Sequence, residues 1–270
     1  MRPPFRLIDG HAHLNELDDA GTALAEARDA GVRAIIGVGM DVPSNRAILA
    51  LAAAHPSFVF PAIGYHPWEI RGEEIEETLA FLEAHIHECV AVGEVGLDYK
   101  AKVKKPRQRA VFERVIDLAV QSDKPLILHC RYSHARALAM ILEGGVKRAV
   151  FHWYTGSLEL LDEILAAGYC ISATPALRYS SPHREAVRHA PLDRILIETD
   201  CPVEYEGIRS RPRDVLTTAR EVAEIQGVSL AEAANLTSRN AVDFYRLSGP
   251  GGETTGGLHH TGRAGDDAPP

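Results

Sequence analysis

The 270-residue chain carries 29 Lys and Arg against 37 Asp and Glu, a net charge of −8, and 46% of its residues are hydrophobic. That balance excludes a binder of nucleic acid over its whole surface, and no apolar run approaches the length of a membrane span, so no membrane partner is expected. Length permits one large domain or two small ones, with an ordinary share of apolar residues for a substantial core.

Met1-Arg-Pro-Pro-Phe5 runs straight into a strand, leaving no room for a signal peptide. That strand ends in Asp9, His11 and His13, whose spacing of two places them on one side of an extended backbone. A helix over 18–30 and a strand over 33–38 follow. Ser44 is expected to cap the next helix, which stops at His55-Pro56. The third strand spans 58–63 and leads to Gly64-Tyr65-His66-Pro67; a helix over 75–86 leads to the fourth, over 89–92, followed by Gly93-Glu94 and Asp98. After a helix over 107–121 the fifth strand, 125–128, is closed by His129. Helix 135–142, strand 148–151 ending in His152, helix 158–167, strand 169–172 and strand 194–197 ending in Glu198-Thr199-Asp200 complete the alternation. A helical region covers 212–247. From Gly249 to Pro270 little can be buried, so 1–248 is expected to be a single domain and 249–270 a disordered tail, with His259 and His260 in solvent. Cys89, Cys130, Cys170 and Cys201 show no CxxC spacing, which suits buried free thiols in a reducing cytoplasm. Alternation turns Cys130 and Cys201 away from the strand-end polar groups.

Eight strands alternating with helices predict a (β/α)8 TIM barrel, whose active site lies at the C-terminal strand ends. An open doubly wound sheet gathers only the strands at its switch point and leaves the dispersed polar residues unexplained. In a barrel, His11, His13, Glu94, His129, His152 and Asp200 enter one mouth. Four histidines and two carboxylates exceed what one catalytic zinc takes and suit two metals bridged by a carboxylate. Zn, Mn, Co, Ni and Mg all remain compatible with these donors.

Ile8-Asp-Gly-His-Ala-His13, Gly64-Tyr-His-Pro67, Gly93-Glu-Val-Gly-Leu-Asp-Tyr99, Leu128-His-Cys-Arg131, His152 with Thr155-Gly156, and Glu198-Thr-Asp-Cys-Pro202 occur in an order that resembles the TatD family of metal-dependent hydrolases, within the amidohydrolase superfamily. Gln108, Phe112, Asn235 and Asn240 also look family-like. The resemblance implies a TIM barrel, one or two divalent metal ions and hydrolysis, often of DNA phosphodiesters. Carried over, His11, His13, Glu94 and Asp200 hold a first metal, and Glu94, His129 and His152 a second. A carboxylate at the bridging position disfavours the branches that use a carbamylated lysine. Trp153-Tyr154 stands where the family commonly has Phe-Ser, and the stretch after Asp200 is less apolar than usual. Both loops are expected to face substrate.

Asp200 is the expected general base, and His66 contacts the substrate anion or protonates the leaving group. Asp200, Glu94 and His66 are thus the catalytic candidates, with Glu198 behind a histidine ligand. Lys100, Lys102, Lys104, Lys105, Arg107 and Arg109 crowd one connection at the catalytic face, and Arg209, Arg211 and Arg213 another; Arg131 follows His129. Lys102, Lys104, Lys105 and Arg131 are therefore expected to bind DNA or another phosphate-bearing substrate. The alternative is a deacylase or small-molecule amidohydrolase acting on an ester, lactone or amide with the same metal centre.

Overall fold

The computed structural model describes residues 5–248; the expected tail over 249–270 lies outside the described residues. Strands β1 (Leu7–Ala12), β2 (Val32–Val38), β3 (Val59–Ile63), β4 (Ala91–Asp98), β5 (Leu126–Arg131), β6 (Ala149–Phe151), β7 (Cys170–Ala173) and β8 (Ile195–Ile197) pair in parallel in sequence order. Beyond β8 the chain returns to β1: the Asp200 N–H donates to His11 O at 2.9 Å and the His13 N–H to Cys201 O at 2.8 Å. The expected TIM barrel is the fold.

Helices α1 (Ala20–Asp29), α2 (Val42–Ala54), α3 (Ile75–His85), α4 (Lys105–Gln121), α5 (His134–Glu143), α6 (Leu158–Ala166) and α7 (Ser181–His189) fill the connections, and α8 (Val215–Gln226) and α9 (Leu230–Tyr245) follow β8. Alternation along the strands divides the apolar residues into two layers. Ile8, Ile36, Ala62, Ile127, Val150 and Leu196 fill the barrel interior, with Phe244 and Tyr245 from the end of α9 and Leu247 just beyond it packed into the same cluster. Leu7, Ile35, Ile63, Phe151 and Ile195 face outward onto Leu24, Ile48, Leu82, Phe112 and Ile164 of the helices. Among the described residues no helix is long and apolar enough to cross a membrane. The four cysteines are free.

Three local readings are corrected. Asp41, not Ser44, caps α2; Ser44 is the reciprocal partner, its hydroxyl accepting from the Asp41 N–H at 2.9 Å while Asp41 Oδ1 accepts from the Ser44 N–H at 2.9 Å. Strand β4 continues through Glu94 to Asp98, with a register shift against β5 between Val92 and Val95. Between β7 and β8 lies α7, which the apolar pattern did not indicate, and after β8 a short hairpin pairs β9 (Glu204–Tyr205) with β10 (Ile208–Arg209).

Candidate active site

The polar strand ends meet at one mouth. Strand β1 shifts register between Asp9 and Ala12, and this irregularity separates Asp9 from the two histidines. Asp9 accepts instead from Thr199 across the seam, from its N–H at 2.9 Å and its hydroxyl at 2.6 Å. His11 and His13 turn to the centre, their Nε2 atoms 3.2 Å apart. Glu94 Oε2 lies 3.4 Å and 3.3 Å from these nitrogens, and Asp200 Oδ1 lies 3.5 Å from each. The donor atoms of His11, His13 and Asp200 lie close enough together to share one divalent metal, whose bonds to nitrogen or oxygen are about 2.1 Å.

The other oxygen of Glu94 faces a second group. Its Oε1 lies 2.9 Å from His129 Nδ1, 3.2 Å from His152 Nε2 and 3.4 Å from His66 Nε2. One carboxylate therefore presents an oxygen to each of two donor clusters. The far sides of the rings are held too. His13 Nδ1 bonds Val38 O at 3.0 Å, His152 Nδ1 bonds Glu198 Oε1 at 3.0 Å, and His129 Nε2 bonds Asp98 Oδ2 at 3.2 Å. These contacts assign a proton to each outer nitrogen and leave the inner one free to ligate. His11 Nδ1 is buried without a partner. Donor type, spacing and tautomer all fit divalent metal.

Electrostatics agrees. Burial opposes the charged form of His13, but hydrogen bonds and charges from Asp200 and Glu94 outweigh it and hold the ring at about 10. His129 and His152 are raised by the same contest, burial against the neighbouring carboxylates. Burial also resists the charge on Glu94, yet the histidines around it drive its carboxyl well below the ordinary range. Protons thus occupy the cluster when no cation does, and a divalent cation displaces them. His66 differs. Burial, only partly countered by Glu94, takes it down to about 4, so its ring is neutral at pH 7. The Trp68 N–H donates to its Nδ1 at 3.2 Å, which puts its proton on Nε2.

The sequence pattern assigns Asp98 no role, yet the structure does. Asp98 receives four donors: His129, the Trp68 indole at 2.6 Å, and the N–H groups of Lys100 and Ala101 at 2.8 and 3.0 Å. The His–Asp contact spans 31 residues and the Trp–Asp contact 30, so only a relation between Gly-Glu-x-Gly-x-Asp and the strand-end histidine could have suggested them.

A cavity of about 840 Å³ opens over the cluster. Its cationic lining is Arg131 and Arg209; Lys102, Lys104 and Lys105 are exposed but stand outside the lining, and Arg109 belongs to a groove on the outer surface. The second cationic run is largely paired. Arg209 lies 3.0 Å from Asp18, and Arg211 and Arg213 both reach Glu26, at 2.7 and 3.3 Å. Those arginines tie the loop after β8 to the β1–α1 region rather than standing as free charges. Cys130, expected to point away, also contributes to the lining. Burial raises its thiol pKa, so it is held neutral.

A family model described as TatD related DNase matches residues 8–246. The 3'-5' ssDNA/RNA exonuclease TatD of Edwardsiella piscicida is 36% identical, over 85% of this chain and 94% of that protein. A metal-dependent hydrolase of Bacillus subtilis, YabD, is 32% identical over 90% of this chain and the full length of that one. The crystal structure of YJJV, a TatD homologue from Escherichia coli, superposes with a TM-score of 0.84 at 26% identity, covering 90% of this chain and 99% of that one. The chain belongs to the TatD related DNase family.

Proposed function

We propose that the protein is a metal-dependent deoxyribonuclease that hydrolyses phosphodiester bonds, formed by one domain over 1–248 and working in the cytoplasm, where its four unpaired cysteines suit a reducing milieu. The observation that carries the reading is Glu94, one oxygen facing His11 and His13, which also meet Asp200, and the other facing His129 and His152; together these residues would hold a pair of divalent cations. A bound divalent cation supplies Lewis acidity, activating water at neutral pH and offsetting charge on the phosphoryl oxygens. The donor set accepts Zn, Mg or Mn.

Asp200 is the general base. Burial resists its charge, but His13 and the other nearby histidines keep it ionised and able to take a proton from the attacking water. His66, neutral with its proton on Nε2, donates to a substrate oxygen rather than supplying the leaving group's proton. Arg131 binds a substrate phosphate at the cavity wall, and Lys102, Lys104 and Lys105 guide the flanking strand. Glu198 orients His152.

The test is cleavage of end-labelled single-stranded DNA with Mg, Mn or Zn, wild type beside Asp200→Asn. Asp200 has φ of 50°, and asparagine tolerates that conformation, so the backbone is preserved. Loss of about 100-fold or more in kcat is expected of the variant. A metal-loaded wild type that leaves DNA intact while hydrolysing aminoacyl esters or lactones would replace this reading with the deacylase one.

A further inference from the structure

The mouth carries more aromatic surface than metal chemistry requires. The chain has two tryptophans, and both Trp68 and Trp153 line the cavity together with Tyr179. Trp68 is 51% and Tyr179 48% exposed. These flat side chains face water beside a charged site, where burial would otherwise be favoured.

Their placement follows from the barrel. Trp68 lies on the connection after β3, Trp153 after β6 and Tyr179 after β7. In a ring of eight strands taken in order, β3 and β7 stand opposite each other. Trp68 therefore faces Tyr179 and Trp153 across the metal donors. Each side is braced. The Trp68 indole donates to Asp98 at 2.6 Å, and its ring meets those of His66 and His129 at centroid distances of 4.6 and 5.5 Å. Trp153 has φ of 44°, its N–H donates to Ser172 Oγ at 3.0 Å, and its ring backs onto Tyr205 at 5.6 Å. Arg178, next to Tyr179, lies 3.6 Å from Glu206 of the hairpin.

We propose that Trp153 and Tyr179 form a stacking platform for the nucleobase on one side of the scissile phosphate, and that Trp68 takes the base on the other side. The inference rests on the nuclease reading. Phosphate at the metal donors, with Arg131 and Arg209 in the wall, leaves the attached bases directed at the rim. A rigid aromatic face receives any unpaired base without reading its edge. A base stacked within a duplex offers no free face, so the platform selects unpaired nucleotides and tolerates sequence. A braced ring also loses little freedom on binding. Trp153 belongs to the Trp153-Tyr154 stretch that stands where the family commonly has Phe-Ser, so this subsite includes the chain's own departure from the family.

Two measurements test it, both on the full-length metal-loaded protein. The first compares kcat/KM on a single-stranded oligonucleotide with that on the same oligonucleotide bearing an abasic tetrahydrofuran residue at one end or the other. Wild type should lose roughly 5- to 150-fold on the abasic probe, the range that removing a base–aromatic stack gives. Trp153→Ser and Tyr179→Ala should bring that ratio towards one. Tyr179 is half exposed, so its variant retains the fold even where the Trp153 loop is disturbed. The second measurement is tryptophan fluorescence on oligonucleotide binding. Trp68→Phe and Trp153→Phe should each retain part of the wild-type quench, because each leaves one reporter at the mouth. Equal use of normal and abasic probes by wild type, or no quench with an oligonucleotide the protein cleaves, overturns the platform. Quenching without cleavage supports the platform and fails the nuclease reading; neither quench nor cleavage ends both.

Discussion

Asp98 uses two oxygens to hold four donors, and one of them is a ring that faces Glu94. His129 and Trp68 share Oδ2, and Lys100 and Ala101 share Oδ1, so in Asp98→Asn an amide nitrogen at the Oδ2 position takes the acceptor from both His129 and Trp68 and frees the His129 ring to rotate. Metal affinity should fall about 10- to 100-fold, measured by competition with a chromophoric chelator, while circular dichroism stays unchanged. Unaltered affinity would reduce Asp98 to a turn residue. At this scale the gathering of polar residues at the mouth was legible because each stands at the end of an apolar run: His11 and His13 at the end of β1, His129 in β5, His152 after β6. Asp98 and Trp68 were not, because their meaning lies in contacts between strands and loops distant in sequence. Asp9 misled because a register shift in β1 breaks the alternation that would have placed it with the histidines.

Elements show the same division. Strands β2, β3, β6 and β8 were readable from continuous apolar runs, the mark of strands buried on both faces. The end of β4 was hidden by Gly93-Glu94, where function interrupts the pattern. Helix α7 was hidden because its buried face is made by His183, Ala186 and Val187, and a histidine in a core position is invisible to apolar periodicity. His183 ties α7 to the site loops, its Nδ1 on Tyr154 O at 2.8 Å and its Nε2 accepting from the Thr174 N–H at 3.1 Å. Burial takes it down to about 4, against about 6.5 in the unfolded chain. The unfolded state then binds the extra proton. Its stabilising contribution is complete above pH 6.5 and is lost as pH falls towards 4, about 3 kcal/mol in all. Urea midpoints for His183→Gln should fall less steeply over that window than wild type; His66 and His134, also at about 4, leave a residual slope. Gly64 joins β3 to β4 more severely. A Cβ there would lie 2.4 Å from Glu94 O and 2.5 Å from Glu94 N, backbone atoms that cannot yield. Gly64→Ala should cost roughly 1–3 kcal/mol of stability and lower bound metal, read by urea denaturation and elemental analysis. Full metal content at wild-type stability would contradict this packing.

Across the whole molecule, a net charge of −8 must be reconciled with an anionic substrate. The arginines after β8 are largely committed to Asp18 and Glu26, which leaves the exposed Lys102, Lys104 and Lys105 as the available attraction beside Arg131. Replacing the three lysines with glutamine should flatten the plot of log affinity for DNA against log salt by about two to three. An unchanged slope would show that the strand takes another path. The barrel interior has a further consequence. Its lower end is packed by Phe244, Tyr245 and Leu247 against the inward strand residues, so the mouth is a blind pouch. A polymer cannot thread it, and whatever is released must back out through the door by which the next substrate enters. Product should therefore compete with substrate for that one entrance, and a long reaction is expected to slow by its own output before its substrate is exhausted.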